Sequence, residues 1–236
     1  MSSAFDQMSS ICSVFWDEWP GLHARPSVKG HAGTVNLKIG CQGMACLVIT
    51  GRLHRYEGHG VGLTTQMVIA LAELGIRELV LTCATGGIDP LLGPGKLARI
   101  KGLIDMTDVG AWRKWAWGDI NCMEEKVAYS PLAESLAKGA AQGGLDLGQG
   151  TLAQVLGPAY ETKAEIQMLR SLGAGLVGMS SGHEWRVAAS MGMDAQIVAL
   201  VTNWACGVCL EKIDHDAVIK ESARQSTRLG AILTAD

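Results

Sequence analysis

The sequence lacks the features that mark a nucleic-acid-binding or membrane protein. Its 20 Lys and Arg are scattered among 23 Asp and Glu, which leaves a net charge of −3 and no basic cluster. No apolar run reaches the roughly 18 residues of a membrane span, and residues 1–10 have neither a basic start nor an apolar signal core. We therefore expect a soluble, cytoplasmic protein whose partners include no nucleic acid and no membrane.

Paired cysteine clusters of the kind that hold a structural zinc ion are also missing. The 7 cysteines are spread along the chain, and their odd number does not fit a closed disulfide framework. Cys206 and Cys209 have CxxC spacing without a thioredoxin-like context, so packing is favoured over redox or metal work. We expect reduced thiols and no metal site.

The sequence is rich in apolar residues (48%) and in dispersed glycines, of which there are 30. Short apolar runs predict strands, and longer helical patterns lie between them. The predicted strands are 34–40, 45–50, 78–82, 151–156, 175–179 and 195–201, and the predicted helices are 62–74, 131–141, 162–172, 183–191 and 215–233. This alternation predicts an α/β fold, a single domain over 1–236 with a mixed sheet flanked by helices.

Two helix starts, Thr162–Glu165 and Ser181–Glu184, have the capping-box pattern. Each follows a predicted strand, and ligands bind beyond the carboxyl ends of strands in open α/β sheets. Four residues fall at such places: Tyr160, Glu161, Met179 and Ser180. Ordinary loop chemistry is the alternative interpretation of these positions.

The stretch 106–125 has no clean period and contains Trp112, Trp115 and Trp117. Loops of this length in compact domains are usually lids, binding loops or interface elements, and exposed aromatic residues often anchor interfaces. The alternative is that these tryptophans fold back over their own core.

The segment GRLHRYEG at 51–58 follows a predicted strand, where period-2 alternation places Arg52, His54 and Tyr56 on one side. Arginine offers a fork of donors to an anion, and histidine adds single ones. This segment resembles the GRFHxYEG stretch of the trimeric purine nucleoside phosphorylases. Further segments resemble that family in the same order: GHAG at 30–33, TCATGG at 82–87, GPAYET at 157–162, VGMS at 177–180, VTN at 201–203 and LEKIDH at 210–215.

The resemblance implies a purine nucleoside phosphorylase-like fold and the transfer of ribose from a purine to inorganic phosphate, with no metal or organic cofactor. The implied phosphate contacts are His31, Arg52, His54, the backbone at Ala84, and Ser180. The implied ribose contacts are Tyr56, Tyr160, Met179 and His215, and the implied base contacts are Glu161, Thr202 and Asn203. Catalytic roles are implied for His54, Glu161 and Asn203. The family also implies a homotrimer, in which the 106–125 loop reaches the ribose pocket of a neighbouring subunit.

Two implied roles also follow from the residue types. Ser180 lies just before a predicted helix start, where unpaired N–H groups and the helix dipole favour an anion. Glu161 would accept the N1–H of a 6-oxopurine while Asn203 supports N7 and O6. Because adenine has no N1–H donor, a buried Glu161 would lose its partner there, so inosine or guanosine is the predicted type of substrate.

The family's glycine-rich phosphate loop, GSGLG, has no counterpart, since the sequence reads SICS at 10–13 and FWDEWP at 15–20. Backbone donors of such loops contribute much of the affinity for an anion, so we expect weaker phosphate binding. Thr85 and Trp204 also depart from the family pattern beside the expected pocket. Two alternatives therefore stay open: a nucleoside hydrolase that uses water, and a catalytically weak homologue that binds a nucleoside.

Overall fold

The computed structural model of the protein describes residues 9–19, 22, 24–28, 31–39, 45–107, 129–209 and 215–233. The strands within these ranges are β1 (Ser9–Phe15), β2 (Thr34–Ile39), β3 (Ala45–Thr50), β4 (Glu78–Gly87), β5 (Leu97–Asp105), β6 (Leu147–Gln154), β7 (Leu176–Gly178) and β8 (Asp194–Trp204). The α-helices are α1 (Val61–Thr64), α2 (Gln66–Glu73), α3 (Pro131–Gln142), α4 (Lys163–Ser171), α5 (Gly182–Ser190) and α6 (His215–Leu233).

Five strands close into a barrel in the order β4, β7, β6, β5 and β8, and β1 to β3 form a separate antiparallel sheet. Within the barrel, β8 runs parallel to β4 and antiparallel to β5, so the sheet is mixed. Strand β8 is buried on both faces, which is why its sequence is a nearly continuous apolar run. The predicted mixed α/β fold with flanking helices is confirmed.

Helices α2 and α5 cover one side of the barrel. Trp185 of α5 is almost fully buried, and its indole Nε1 donates to the carbonyl oxygen of Ala195 at 2.8 Å. This contact satisfies the one polar atom of a large apolar side chain, as burial of tryptophan requires. It also fixes the first turn of α5 against the barrel, next to the candidate site.

Strands β1 and β5 were not predicted, and for β5 the reason is visible in the sheet. Arg99 is 6% exposed and breaks the apolar pattern of the strand, and the register with β6 shifts between Ile100 and Gly102. Strand β4 continues through the TCATGG segment to Gly87. A Cβ atom at Gly87 would meet the carbonyl group of Leu92, so close packing demands the glycine.

One of the two predicted capping boxes is confirmed and the other is wrong. The Thr162 hydroxyl accepts the Glu165 amide hydrogen at 3.3 Å, and the Glu165 carboxylate accepts the Thr162 amide hydrogen at 2.7 Å. At the start of α5, Ser181 has a φ of 74° and makes no cap hydrogen bond. The Ser181 hydroxyl donates instead to the carbonyl oxygen of Thr82, and the Glu184 carboxylate forms an ion pair with Arg52.

No helix in the described ranges is long and apolar enough to cross a membrane. Residues 108–128 lie outside those ranges, so the interpretation of the three tryptophans of the 106–125 loop stays a prediction. The assignment of 1–236 to a single domain also stays a prediction.

Candidate active site

Arg52 follows directly on the end of β3. Gly51 has a φ of 92°, and a Cβ atom there would lie 2.8 Å from the Cβ of His31, so the turn requires glycine. Nδ1 of His31 lies 3.0 Å from both the amide nitrogen and the carbonyl oxygen of Arg52. It accepts from the former or donates to the latter, depending on the tautomer. The close approach that Gly51 permits therefore anchors the backbone of Arg52.

Three groups hold the guanidinium of Arg52. Nη1 donates to the carbonyl oxygen of Thr82 and, at 3.3 Å, to the hydroxyl of Ser180. Nε forms an ion pair with the Glu184 carboxylate, with 3.1 Å between Nε and Oε2. Within the part of the chain that the structure describes, neither Nε nor Nη2 donates a hydrogen bond to the protein. Nη1 is thus occupied by hydrogen bonds, Nε by the ion pair alone, and Nη2 is left to a ligand.

His54 lies beside Arg52, although the alternation that was used to place it is wrong. Residues Arg55–Glu57 form a 3₁₀ turn rather than an extended strand, and the amide of His54 donates to the Glu57 carboxylate at 2.6 Å. The turn stacks the rings of His54 and Tyr56, whose centroids are 4.6 Å apart. The ring centroid of His31 lies 5.0 Å from that of His54.

Burial governs the charge of both imidazoles. It lowers the pKa of His54 to about 4, with the positive charge of Arg52 and the neighbouring His31 adding to the effect. Burial also lowers the pKa of His31. At neutral pH both rings are therefore uncharged, and the permanent positive charge comes from Arg52 and from Arg55, which lines the cavity.

A small cavity lies beside the partners of Arg52. His54, Ser180 and Glu184 line it together with Gln154 and Met179. We call Arg52, His54, Ser180 and Glu184 the anion cluster. Ala84, whose backbone is a predicted phosphate contact, is exposed within the otherwise buried end of β4. The structure thus brings His31, Arg52, His54 and Ser180 together, as the sequence predicts.

The predicted ribose residues gather around Gly157, which has a φ of 72°. A Cβ atom at Gly157 would overlap the sulfur of Met179 and lie 3.0 Å from a ring carbon of Tyr56. Tyr160 is 45% exposed and close enough to Tyr56 to affect the pKa of its phenol. Tyr56, Tyr160 and Met179 are therefore neighbours. His215 begins α6, and its side chain lies outside what the structure describes.

Asn203 and Glu161, here called the purine pair, are held by separate neighbours. The Asn203 amide oxygen accepts from the Thr202 hydroxyl at 2.9 Å, and its nitrogen donates to the Trp204 carbonyl oxygen at 2.9 Å. Burial raises the pKa of the half-buried Glu161 carboxyl group. Within the described ranges, no hydrogen bond or ion pair joins the purine pair to the anion cluster.

The segments that carry the purine pair nevertheless lie side by side. Lys163, two residues after Glu161, packs its side chain over Gly207, where a Cβ atom would lie 2.6 Å from the Lys163 Cγ. Ile166 of α4 belongs to the same buried cluster as Ala205, which follows β8. The start of α4 and the turn after β8 are therefore in contact.

Two features of the site were missed from the sequence. One is Glu184, which was assigned to a helix cap. The other is a buried network in which Nε2 of His183 lies 2.9 Å from the Thr107 hydroxyl and 3.4 Å from the Asp105 carboxylate. Burial would raise the pKa of Asp105, but hydrogen bonds from His183 and Thr107 outweigh it and hold that pKa well below its usual value. No local pattern indicates either feature, because the partners are far apart in the chain.

Barrel, pocket and anion cluster define a nucleoside phosphorylase-like class of α/β protein, and comparisons with known proteins agree. The sequence model of the phosphorylase superfamily matches residues 20–235. The chain belongs to this superfamily, which confirms the resemblance stated above.

Its relatives include purine nucleoside phosphorylases from several organisms. The chain is 38% identical to that of Mycobacterium tuberculosis over 216 residues, which cover 92% of this chain and 77% of the relative. It is 30% identical to the 6-oxopurine nucleoside phosphorylase of Pyrococcus furiosus over 222 residues, which cover 89% and 83%. The purine nucleoside phosphorylase of Schistosoma mansoni, solved in complex with inosine, has the same fold with a TM-score of 0.82. That match has 24% identity and covers 98% of this chain and 84% of that one.

Proposed function

We propose that the protein is a purine nucleoside phosphorylase, a pentosyltransferase of purine salvage that cleaves 6-oxopurine nucleosides with inorganic phosphate. The observation that carries this proposal is the anion cluster, in which Arg52 donates to Ser180, a residue that lines a cavity together with Met179, the neighbour of Tyr56. Relatives at 30–38% identity named for this activity support it. No metal or organic cofactor enters the proposal.

The reaction divides between the two ends of the site. Phosphate bound to Arg52 and Ser180 forms a new bond from one of its oxygens to C1′ of the ribose. The C1′–N9 bond breaks, and its electron pair leaves with the purine. Donors aimed at charge that grows only in the transition state accelerate such a step. In this proposal the Asn203 amide, which is held by Thr202 and Trp204, uses its second N–H to donate to N7 of the departing base.

Glu161 provides the preference for 6-oxopurines. A half-buried carboxylate keeps its charge only where a hydrogen-bond donor meets it, and the N1–H of hypoxanthine or guanine is such a donor. Adenine presents an acceptor at N1 and would leave Glu161 without a partner. Burial raises the pKa of Glu161, as expected for a carboxyl group whose hydrogen-bond donor comes from the ligand.

Hydrolysis is the weaker alternative, because water is a neutral nucleophile. It needs no arginine held by three partners to bind it. The experiment that separates the possibilities incubates the protein with inosine, with and without phosphate, and identifies the sugar product. Phosphorolysis gives ribose 1-phosphate only when phosphate is present. Free ribose in both reactions contradicts it, and no product in either indicates a binding homologue.

The site is proposed to be completed in a homotrimer, with the 106–125 loop reaching the ribose pocket of a neighbour. Thr107, which belongs to that loop, contacts His183, a residue that lines the cavity. A cyclic trimer repeats one heterologous contact without an open end. Sedimentation at micromolar concentration tests this proposal, and a fully active monomer would contradict it.

A further inference from the structure

Glu184 is a buried carboxylate at the cavity that no part of the proposed reaction uses. It is the third residue of α5, is 9% exposed, and directs Oε2 to Nε of Arg52 at 3.1 Å. A buried carboxylate needs a partner, and within the described ranges its ion-pair partner is this arginine. The pair joins a helix of one segment to the turn after β3 in another.

Contacts with several other segments hold the first turn of α5, which carries Glu184. The amide of Gly182 donates to the side-chain oxygen of Gln154 at 2.6 Å. A Cβ atom at Gly182 would lie 2.5 Å from that oxygen and 2.7 Å from a methyl carbon of Leu103, so only glycine fits. The next residue, His183, contacts Asp105 and Thr107 through Nε2 of its ring.

The guanidinium of Arg52 is therefore held at two of its three nitrogens. Nη1 donates to Thr82 and Ser180, and Nε is paired by charge with Glu184 without a hydrogen bond. An arginine held by Nη1 alone can rotate about that contact, whereas a second, charged contact at Nε restricts the rotation. Donation from Nη2 to a phosphate oxygen depends on the resulting orientation.

We propose that Glu184 is a positioning residue for the nucleophile, which holds Nε of Arg52 so that Nη2 faces the bound phosphate. This inference rests on the proposed function only in taking inorganic phosphate as the anion. Simple charge counting gives the opposite expectation, because a carboxylate beside an anion site repels the anion, and its removal should tighten binding. The sign of the effect thus separates positioning from mere charge.

The test compares Glu184→Ala and Glu184→Gln with the parent. We expect Glu184→Ala to raise the KM for phosphate about tenfold or more, with kcat at saturating phosphate within about threefold, as for loss of ground-state binding. Glu184→Gln should lie between the two, because it removes the charge of the ion pair but keeps the size of the side chain and a polar oxygen beside Nε. The KM for inosine should stay unchanged in both variants.

Glu134→Gln is the matched control, because Glu134 is an exposed acidic residue in the first turn of α3. It removes the same favourable interaction with a helix dipole without touching the site. Thermal unfolding of each variant shows whether it is folded, and if Glu184→Ala is not, Glu184→Gln decides alone. An unchanged or lowered KM for phosphate in a folded Glu184 variant overturns the proposal.

Calorimetric titration with inorganic phosphate, in the absence of nucleoside, makes the two proposals separable. A parent that binds phosphate but forms no ribose 1-phosphate contradicts the proposed function, and the Glu184 inference is then decided by whether the Kd for phosphate rises in the variants. A parent that binds no phosphate overturns the Glu184 inference itself.

Discussion

The anion cluster and the purine pair are built differently. Arg52 of the anion cluster is held by Thr82, Ser180 and Glu184, which come from two segments distant from it in the chain, strand β4 and the stretch 180–184. The two members of the purine pair are held only by their own neighbours, and no bond joins them in the described ranges. We therefore expect the anion end to be fixed before any ligand arrives and the purine end to be completed by the base.

This difference has a consequence for the energetics of each end. A preorganised cationic site gains affinity because its ordering cost is met during folding. A half-buried carboxyl group without a charged partner gains its energy only when the correct base arrives, so it discriminates between bases. Mutations at the purine end should therefore act on turnover and specificity, and mutations at the anion end on phosphate affinity.

The largest effect is expected at the purine end. Glu161→Ala and Asn203→Ala should each lower turnover of inosine by about tenfold to a thousandfold, as removal of a transition-state donor or acceptor does. Steady-state kinetics at saturating phosphate measures the loss, and Glu73→Ala, at an exposed residue of α2, is the control. Rates close to the parent for both variants would show that the purine is held elsewhere.

Arg52→Ala should act at the other end and mainly on phosphate. Loss of hydrogen bonds to a charged ligand, each contributing about 1.5–3 kcal/mol, should raise the KM for phosphate by about tenfold to a hundredfold. A phosphate titration of parent and variant provides the measurement, with Arg224→Ala at an exposed position of α6 as the control. If the parent itself shows no phosphate dependence, the arginine has another role.

Much of this comparison could be predicted from the sequence, because local patterns carry it. The order of helices and strands follows from apolar periodicity, and Arg52, His54 and Ser180 lie in short segments that resemble one family. The capping box at Thr162 needs only residues three apart. Each of these signals is contained in a stretch of a few residues.

What could not be predicted depends on contacts between distant segments. Ser181 and Glu184 have the letters of a capping box, yet Thr82 and Arg52 are better partners once the chain has folded. Strand β5 was missed because a buried Arg99 interrupts its apolar pattern. Tertiary contacts override local preference at such points, and they cluster where function is expected.

The smallest effect is expected on stability, where the anion end should show a dependence on pH. The pKa of His54 in the folded protein, about 4, lies below its usual value of 6.5, so the unfolded chain binds the proton first as the pH falls. Stability should therefore decrease between those values. His54→Gln should reduce the loss between about pH 7.5 and pH 5 by about 1–2 kcal/mol, allowing for solvent screening.

Urea unfolding at the two pH values measures that difference. His59→Gln, at a half-exposed histidine that does not line the cavity, is the matched control. The same pH dependence in parent and His54→Gln would show that His54 does not carry the buried, uncharged imidazole described here.

The fate of the phosphate oxygens tests most directly whether the anion cluster delivers the nucleophile. Inosine is incubated with phosphate labelled at all its oxygens with oxygen-18, and the sugar product is analysed by mass spectrometry. Attack by phosphate on C1′ predicts ribose 1-phosphate that retains every labelled oxygen, including the one that bridges carbon and phosphorus. Free ribose carrying an oxygen from water at C1′, formed at the same rate without phosphate, would contradict this role of the cluster.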